Sequence, residues 1–486
     1  MQKNESDKNW GTLRLHLPNV KLEVDPHKME DMYSMAIALQ VHRGLLRYSP
    51  DGEVLPDLAE RWETSDGDRT YRFTLKPARF SDGSLITALH VVHSFARIFH
   101  SRTGISADMN YVRGIEKFQR SGILSDLGVA AIGANIVEFH LQKPTFLFLK
   151  HLAVVDCAIL ATLDYRAPLT FSQGAATSGP YRILSASSER FELEKWREDP
   201  LDSGAPPLRL NFFTSAESAL GLAKSGATDS LDFEQVTAHA RDELLAQGWK
   251  ESVTEVVKAW FIVMNPKAAP EPLRAYLFQA ITPSFLEKIA SGSRLRPAFG
   301  LVPFGMPGYI EAPLALGEKA FEVPVGKLRL TFSEGSPLVR QIAEELKKIW
   351  ETKKLQIELQ PLPRGEYLRK MFAAEGELIL GTKGIDYFDG YSELTYFRSG
   401  NESNYFHVSD PGVDHAIDQI PFIEDSAKRV EEYRRLQKVL LKKLTYIPLF
   451  FGSQSSGLWS PRVKALPSHP IGLHGFPLET VEMSKP

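Results

Sequence analysis

Apolar and polar positions alternate most sharply over residues 327–390, where the pattern predicts a continuous β-α-β-α-β unit. Leu328, Leu330 and Phe332 fall two apart, as on one face of a half-buried strand. Ser336 and Pro337 form a helix start, an N-cap followed by proline in the first turn. Leu338, Ile342, Leu346 and Ile349 then recur at three- and four-residue steps. Leu355, Ile357 and Leu359 predict a second strand, residues 366–374 a shorter helix with Tyr367, Leu368, Met371 and Phe372 on one side, and Leu378-Ile379-Leu380 a third strand. The unit is expected to stop there. Residues 381–390 are punctuated by glycine and carry two carboxylates and two aromatics. Ligands of open α/β sheets bind outside the carboxyl ends of the strands, which makes this segment the first candidate for binding. The same residue types also build solvated turns.

Elsewhere, Leu13, Leu15 and Leu17 predict a strand, residues 32–41 an amphipathic helix and residues 44–48 a short strand. Tyr71, Phe73 and Leu75 alternate with Arg72, Thr74 and Lys76. Thr87 caps a helix with Val91, Val92, Phe95, Ile98 and Phe99 on one stripe, and residues 135–141 predict a further strand. Strands resume at 178–184 and around Phe191, Leu193 and Trp196; a helix and a turn lie between 217 and 232. Residues 260–265 predict a buried strand, 273–281 a helix, 297–313 a Pro/Gly-rich passage, 425–444 a helix and 447–451 a strand. No internal repeat or low-complexity tract is present.

A chain of 486 residues predicts two to four folding units at roughly 100–200 residues each. A net charge of −3 without a basic block offers nothing to attract nucleic acid or anionic membranes. Cys157 is the single cysteine, which excludes an internal disulfide and a multi-cysteine metal site. No apolar run is long enough to span a bilayer. Residues 1–8 are polar and lack the apolar centre of a secretory signal, so the expectation is a cytosolic protein or one whose signal was removed.

Catalytic patterns are missing. His90 and His93 lie three apart on a helix, yet no further ligand follows at zincin spacing, so no metal is expected. Residues 452–457 do not fit the Gly-x-Ser-x-Gly elbow, and no Gly-rich phosphate loop is found. Asp386 and Asp389, three apart in a loop, specify no geometry for paired acids. The expectation is no enzyme, no catalytic residue and no cofactor.

An ordered series of motifs gives more. Gly44-Leu45-Leu46 is followed by Leu55-Pro56-Asp57-Leu58-Ala59-Glu60-Arg61-Trp62, Tyr71-Arg72-Phe73-Thr74-Leu75, Phe80-Ser81-Asp82-Gly83-Ser84 and Thr87-Ala88. Shorter matches are Asp25-Pro26-His27-Lys28, Ser178-Gly179-Pro180-Tyr181, Ile385-Asp386-Tyr387-Phe388-Asp389, residues 401–405 and Val413-Asp414. With these residues the chain resembles the extracellular solute-binding proteins of family 5, which serve oligopeptide, dipeptide and nickel ABC transporters. The resemblance runs from about residue 25 to 453.

It implies an α/β fold of two lobes, like a periplasmic binding protein of type II, cluster C, with an inserted β-rich subdomain in the first lobe. Mapped on this chain, lobe 1 would take residues 1–41, 168–255 and 447–486, the insert 42–167 and lobe 2 256–446. The implied function is capture of a peptide or similar small polar ligand by closure of the lobes, then delivery to ABC permease subunits. Asp386, in the Asp-Tyr motif with Tyr387, matches the aspartate that holds a peptide amino end. Glu30 and Met32 match cleft positions of the first lobe, Trp260 lies near an aromatic of the same site, and Asn404 is a further candidate. Two residues depart from the family pattern: Leu380 stands where oligopeptide binders carry arginine, and Gly390 replaces the usual proline. The resemblance also implies a periplasmic or extracellular monomer, with or without a lipid anchor. Two other functions stay open, a cytosolic ligand-sensing domain that regulates a partner and a hydrolase on a two-lobed scaffold.

Overall fold

In the computed structural model the described residues are all except 1–10, 18–21, 30, 50–51, 197–207, 216, 233–235, 255–257, 292–294, 314–324, 386, 402–403, 406–407, 453–454, 466–477, 479–480 and 485–486. The chain divides into two units, one of Met1–Leu231, Glu243–Ser252 and Gly457–Pro486, the other of Asp232–Asp242 and Val253–Ser456.

In chain order, β1 (Thr12–Leu17) and α1 (Met32–Val41) come first. A β-rich part follows, with β2 (Leu46–Tyr48), β3 (Val54–Pro56), β4 (Ala59–Ser65), β5 (Thr70–Leu75), α2 (Ala88–Ser101), α3 (Gly104–Asp108), α4 (Ile115–Ser121), β6 (Val129–Ala131), β7 (Ile136–His140) and α5 (Phe148–Leu152). Next come β8 (Tyr181–Ala186), β9 (Arg190–Lys195), β10 (Arg209–Thr214), α6 (Ala219–Lys224), β11 (Ser230–Asp232), α7 (Ala238–Ala246) and β12 (Lys250–Thr254). The second unit holds β13 (Lys258–Met264), α8 (Glu271–Gln279), α9 (Pro283–Ala290), β14 (Leu295–Pro297), β15 (Gly326–Ser333), α10 (Pro337–Trp350) and β16 (Leu355–Leu362). It continues with α11 (Arg364–Phe372), β17 (Leu378–Gly384), α12 (Tyr391–Thr395), α13 (Pro411–Gln419), α14 (Ser426–Leu441) and β18 (Tyr446–Gly452). The chain ends with β19 (Ser455–Trp459), β20 (Val463–Ala465) and β21 (Glu482–Met483).

The main sheet of the first unit has the order β12-β19-β11-β1-β10-β9-β8. Leu13, Leu15 and Leu17 of β1 are buried against Ile37 and Val41 of α1 and Leu193 and Leu210 of the neighbouring strands, as their alternation predicts. The fully buried carboxylate of Asp229 joins distant parts of the chain: Arg14 reaches it at 2.9 Å, Arg462 at 3.1 Å and the hydroxyl of Ser460 at 3.0 Å. Burial works to raise the Asp229 pKa, but the hydrogen bonds and charge of Arg14, with the charge of Arg462, outweigh it and hold the group below the usual range.

The β-rich part forms its own antiparallel sheet, β4-β5-β7-β6. Phe73 and Phe139 meet edge to face across it at 5.8 Å, and Phe95 of α2 packs on Phe139 at 4.8 Å. On α2, the Nδ1 of His90 accepts a 3.1 Å hydrogen bond from the backbone N–H of Thr87, so this histidine closes the helix start. Further along, Arg97 reaches back to the buried Asp25 with two bonds of 2.7 and 2.6 Å.

The second sheet has the order β14-β18-β13-β17-β15-β16. β15 runs parallel to β16 and to β17, so the predicted β-α-β-α-β unit is present. Ser336 caps α10, its hydroxyl accepting from Val339 N–H at 3.3 Å, with Pro337 in the first turn. The buried stripe of α10 is Val339, Ile342, Ala343, Leu346 and Trp350, one step round from the predicted one; Leu338 and Ile349 are only partly buried. Trp350 decides this, because its large ring fills the space under the sheet while Nε1 donates to the Leu277 carbonyl at 2.9 Å.

Two further differences concern the strands. β17 does not stop at Leu380 but continues to Gly384, because β13 pairs with it along its whole length, from Met264↔Leu378 to Lys258↔Gly384. Gly381 permits this, since a Cβ there would lie 2.4 Å from the Phe261 ring. β18 belongs to the second sheet, with Ile447, Leu449 and Phe450 in its core, and the first sheet resumes only at β19. The sequence-based return to the first lobe at 447 is therefore later in the sheet topology.

Candidate functional site

The segment that follows β17 is held by its flanks. Ile385 is buried with Val302 and Met306, and Phe388 packs against the same cluster. Asp389, 2% exposed, accepts a 2.6 Å hydrogen bond from the Tyr433 hydroxyl of α14 and a 3.0 Å bond from Tyr391 N–H. Its own carbonyl accepts from the Ser392 hydroxyl at 2.8 Å. Burial, reinforced by the Asp389 charge and by the bond given to it, pushes the Tyr433 pKa far up, so the hydroxyl stays a donor. Asp389 thus ties the segment to α14.

Gly390, the departure from the family pattern, has a steric reason. A Cβ at this position would lie 2.3 Å from the Pro307 carbonyl oxygen and 3.0 Å from Val302 Cγ1. The 302–308 stretch packs too closely for any side chain there. Leu380, the other departure, is 1% exposed and sits in the apolar core of the second unit, where an arginine would need a partner for its charge.

Lys383 lies in this glycine-rich stretch yet is withdrawn from water. Its side chain is 11% exposed and its Nζ lies 2.9 Å from Glu393 of α12, itself 4% exposed. The Nζ also stands 3.4 Å above the Tyr396 ring centroid. Tyr446 lies in this neighbourhood, its pKa raised by burial and by the charge of Glu393. Sequence patterns gave no sign of Glu393, and of Tyr433 they gave only the helix that carries it.

The candidate residues distribute as follows. Asp386 and Glu30 lie outside the described residues. Met32 opens α1 in the first unit, and its side chain also lies outside them. Tyr387 is 1% exposed, a neighbour of Asp386 that is packed inside the second unit. Trp260 pairs with Thr382 of β17 and is buried in the second core, with Lys258 Nζ 5.3 Å from its ring. Its indole N–H has no hydrogen-bond acceptor among the described residues. Asn404 donates to the carbonyls of Arg398 at 3.1 Å and Val408 at 2.7 Å, which makes its amide a loop fastener. Trp260 belongs to the sheet face covered by α8 and α10, whereas Phe261 beside it stacks on Tyr405 at 6.3 Å.

Among the described residues no group of three or more His, Cys, Asp or Glu side chains could hold a metal ion, and no helix is long and apolar enough to cross a membrane. An open depression of about 420 Å³, lined by Asp66, Gly67, Arg69, Gln142, Lys143 and Pro144, belongs to the β4–β5 turn of the first unit and contains none of the candidate residues.

The chain is similar to known proteins over most of its length. Residues 53–405 match the family described as bacterial extracellular solute-binding proteins, family 5 Middle. The dipeptide-binding protein DppE of Bacillus subtilis is 22% identical over 468 residues, covering 89% of this chain and 85% of that protein. The murein tripeptide binding protein MppA of Escherichia coli superposes with a TM-score of 0.84 at 18% identity, over 98% of each chain. Haemophilus influenzae OppA, in complex with the peptide RPPGFSPFR, gives 0.81 at 18% identity, over 98% of this chain and 99% of that one. At such identities the structural likeness establishes the fold, a two-lobed α/β architecture, and the family match covers most of the sequence. The chain belongs to the bacterial extracellular solute-binding proteins of family 5.

Proposed function

We propose that this chain is the substrate-binding receptor of an ABC importer, which captures a peptide or similar small polar ligand by lobe closure and delivers it to the permease. It works as a monomer in the periplasm or outside the cell and catalyses no reaction. The observation that carries this reading is the family match over residues 53–405, joined to relatives named for dipeptide and oligopeptide binding. Asp386 is the proposed anchor for the ligand's amino end, with Glu30, Met32, Tyr387 and Trp260 as proposed neighbours of the ligand. Its support is position in the sequence: Asp386 follows the carboxyl end of β17, which runs parallel to β15 and antiparallel to β13, and it stands between the buried Ile385 and Tyr387. A carboxylate that faces an ammonium away from water adds about 1.5–3 kcal/mol. Asn404 is the weakest candidate, because its amide already serves two carbonyls of its own loop.

Asp386→Asn tests the anchor. Native mass spectrometry of the purified chain, incubated with a pool of synthetic tripeptides, should show retained peptide, and the variant should retain less of those with a free amino end. Equal retention by both would remove Asp386 from the site. Hydrolysis of the retained peptides on prolonged incubation would favour a hydrolase instead.

A further inference from the structure

Within the Pro/Gly-rich passage, a tight turn holds one aromatic ring in water. Met306 N–H donates to the Pro303 carbonyl at 3.2 Å, and Gly305, the third of these four residues, has φ +83°, the pattern of a type II turn. Pro303 and Met306 are buried, while Phe304 between them is 44% exposed. Single exposed apolar side chains are ordinary on a protein surface, so exposure alone carries nothing. This ring, however, is set in place. The Arg296 guanidinium lies over it at 4.1 Å, Tyr309 meets it edge to face at 5.5 Å, and Tyr309 in turn packs on the buried Phe451 at 6.2 Å. Beneath the turn, the buried amide of Gln437 clamps both ends of the loop. Its oxygen accepts from Leu301 and Val302 N–H at 2.8 and 3.0 Å, and its nitrogen donates to the Gly308 carbonyl at 2.8 Å.

Strand register places the ring in the second unit. Arg296 of β14 stands opposite Phe451 of β18, Phe451 opposite Ala259 of β13, and Ala259 opposite Lys383, the last residue but one of β17. Alternation along the strands turns all four away from the core that holds Leu295, Trp260 and Leu380. Arg296 therefore lies level with the carboxyl end of β17, on the edge where open α/β sheets take ligands. The same loop meets the segment after that strand, since Val302 and Met306 are buried with Ile385 and Phe388 packs on them. We propose that Phe304 is a specificity-determining residue of the ligand site, a fixed platform for a bulky apolar side chain of the bound peptide, an aromatic one above all. The proposal rests on the reading of the chain as a peptide receptor. Aromatic residues and arginine are enriched at recognition surfaces. A ring already held by its loop loses little freedom when a ligand covers it.

The test uses the full chain, Phe304→Ala and Phe304→Tyr. The probes are short alanine peptides, dipeptide to pentapeptide, and their single-phenylalanine analogues, with affinity measured by calorimetry and stability by thermal melting. Wild type should bind the best phenylalanine peptide roughly tenfold more tightly than its alanine parent. Phe304→Ala should bring that ratio to within about twofold, while its affinity for the alanine peptide and its melting temperature stay near wild type. Phe304→Tyr, which keeps the ring, should keep the preference. A ratio that survives in Phe304→Ala, or a wild-type chain without the preference, overturns the proposal and leaves the peptide reading standing. An equal loss for both kinds of peptide, or a melting temperature far below wild type, makes the ring a support of its loop and also overturns it. A wild-type chain that binds none of the peptides overturns the peptide reading, and the proposal with it.

Discussion

The Tyr433 hydroxyl donates a 2.6 Å hydrogen bond to the buried carboxylate of Asp389, 44 residues away in sequence. This bond fastens the segment after β17 to the long helix α14. Tyr433→Phe removes the donor from a buried carboxylate, which should destabilise the second unit by about 1–3 kcal/mol. Urea unfolding followed by tryptophan fluorescence reads this, since Trp260 and Trp350 lie in the core of that unit.

The same tyrosine sets an alkaline limit. Its folded pKa lies above the ordinary value of 10.0. The unfolded state therefore loses its proton first, and the stabilising contribution, whole below that value, is lost as pH rises through the folded pKa. Melting temperatures measured from neutral pH to above about pH 10 should fall less steeply for Tyr433→Phe than for wild type.

Gly390→Ala should be poorly tolerated, although the backbone at this residue has an ordinary helical φ of −61°. The added methyl meets a backbone carbonyl, which cannot rotate away as a side chain can. A loss of about 1–3 kcal/mol is expected from thermal melting, together with weaker peptide retention. An unchanged melting temperature would show that the 302–308 stretch yields.

On the acid side, the first unit carries the sensitive cluster. Burial, then the charge of Arg97, lowers the His27 pKa to about 3, and burial lowers that of His42 to about 4. Asp25 is held low by Arg97 and the His27 backbone against the opposing effect of its burial. Free imidazoles take up protons near 6.5, so the unfolded state gains protons first. The contribution of both histidines is whole above that value and declines as pH falls through the folded pKa values. Melting should be lower at about pH 4.5 than at about pH 7.5, and His42→Gln should narrow the difference.

Trp260→Phe separates core from ligand contact. The indole N–H is buried without an acceptor among the described residues, an arrangement that costs about 1–3 kcal/mol. The ligand-free variant should melt at or above the wild-type temperature. If the ligand supplies the acceptor, the same variant binds the retained tripeptide more weakly; unchanged binding makes Trp260 a core residue only.

Much of the second unit was legible because its periodicity is strong: Leu328, Leu330 and Phe332, the Ser336-Pro337 start and the α10 stripe all lie where predicted, within one step. β4 was known only as a motif, since its outward face is mostly exposed and leaves no alternation to detect. The continuation of β17 was hidden for another reason. Glycines resemble a turn in sequence, whereas Gly381 is there to admit the Phe261 ring from a strand more than a hundred residues earlier. Family motifs brought out Asp386, but not Glu393 or the hydroxyl of Tyr433, whose roles depend on contacts between elements that no local pattern encodes.

The strand order of the first sheet bears on how the polypeptide is assembled. β1 is formed from residues 12–17, while β19, two places along, comes from residues 455–459. β1 finds both its neighbours, β10 and β11, by residue 232, but the sheet stays open between β11 and β12 until β19 is made. The second unit, drawn almost wholly from one uninterrupted stretch, has no such wait and can be finished first.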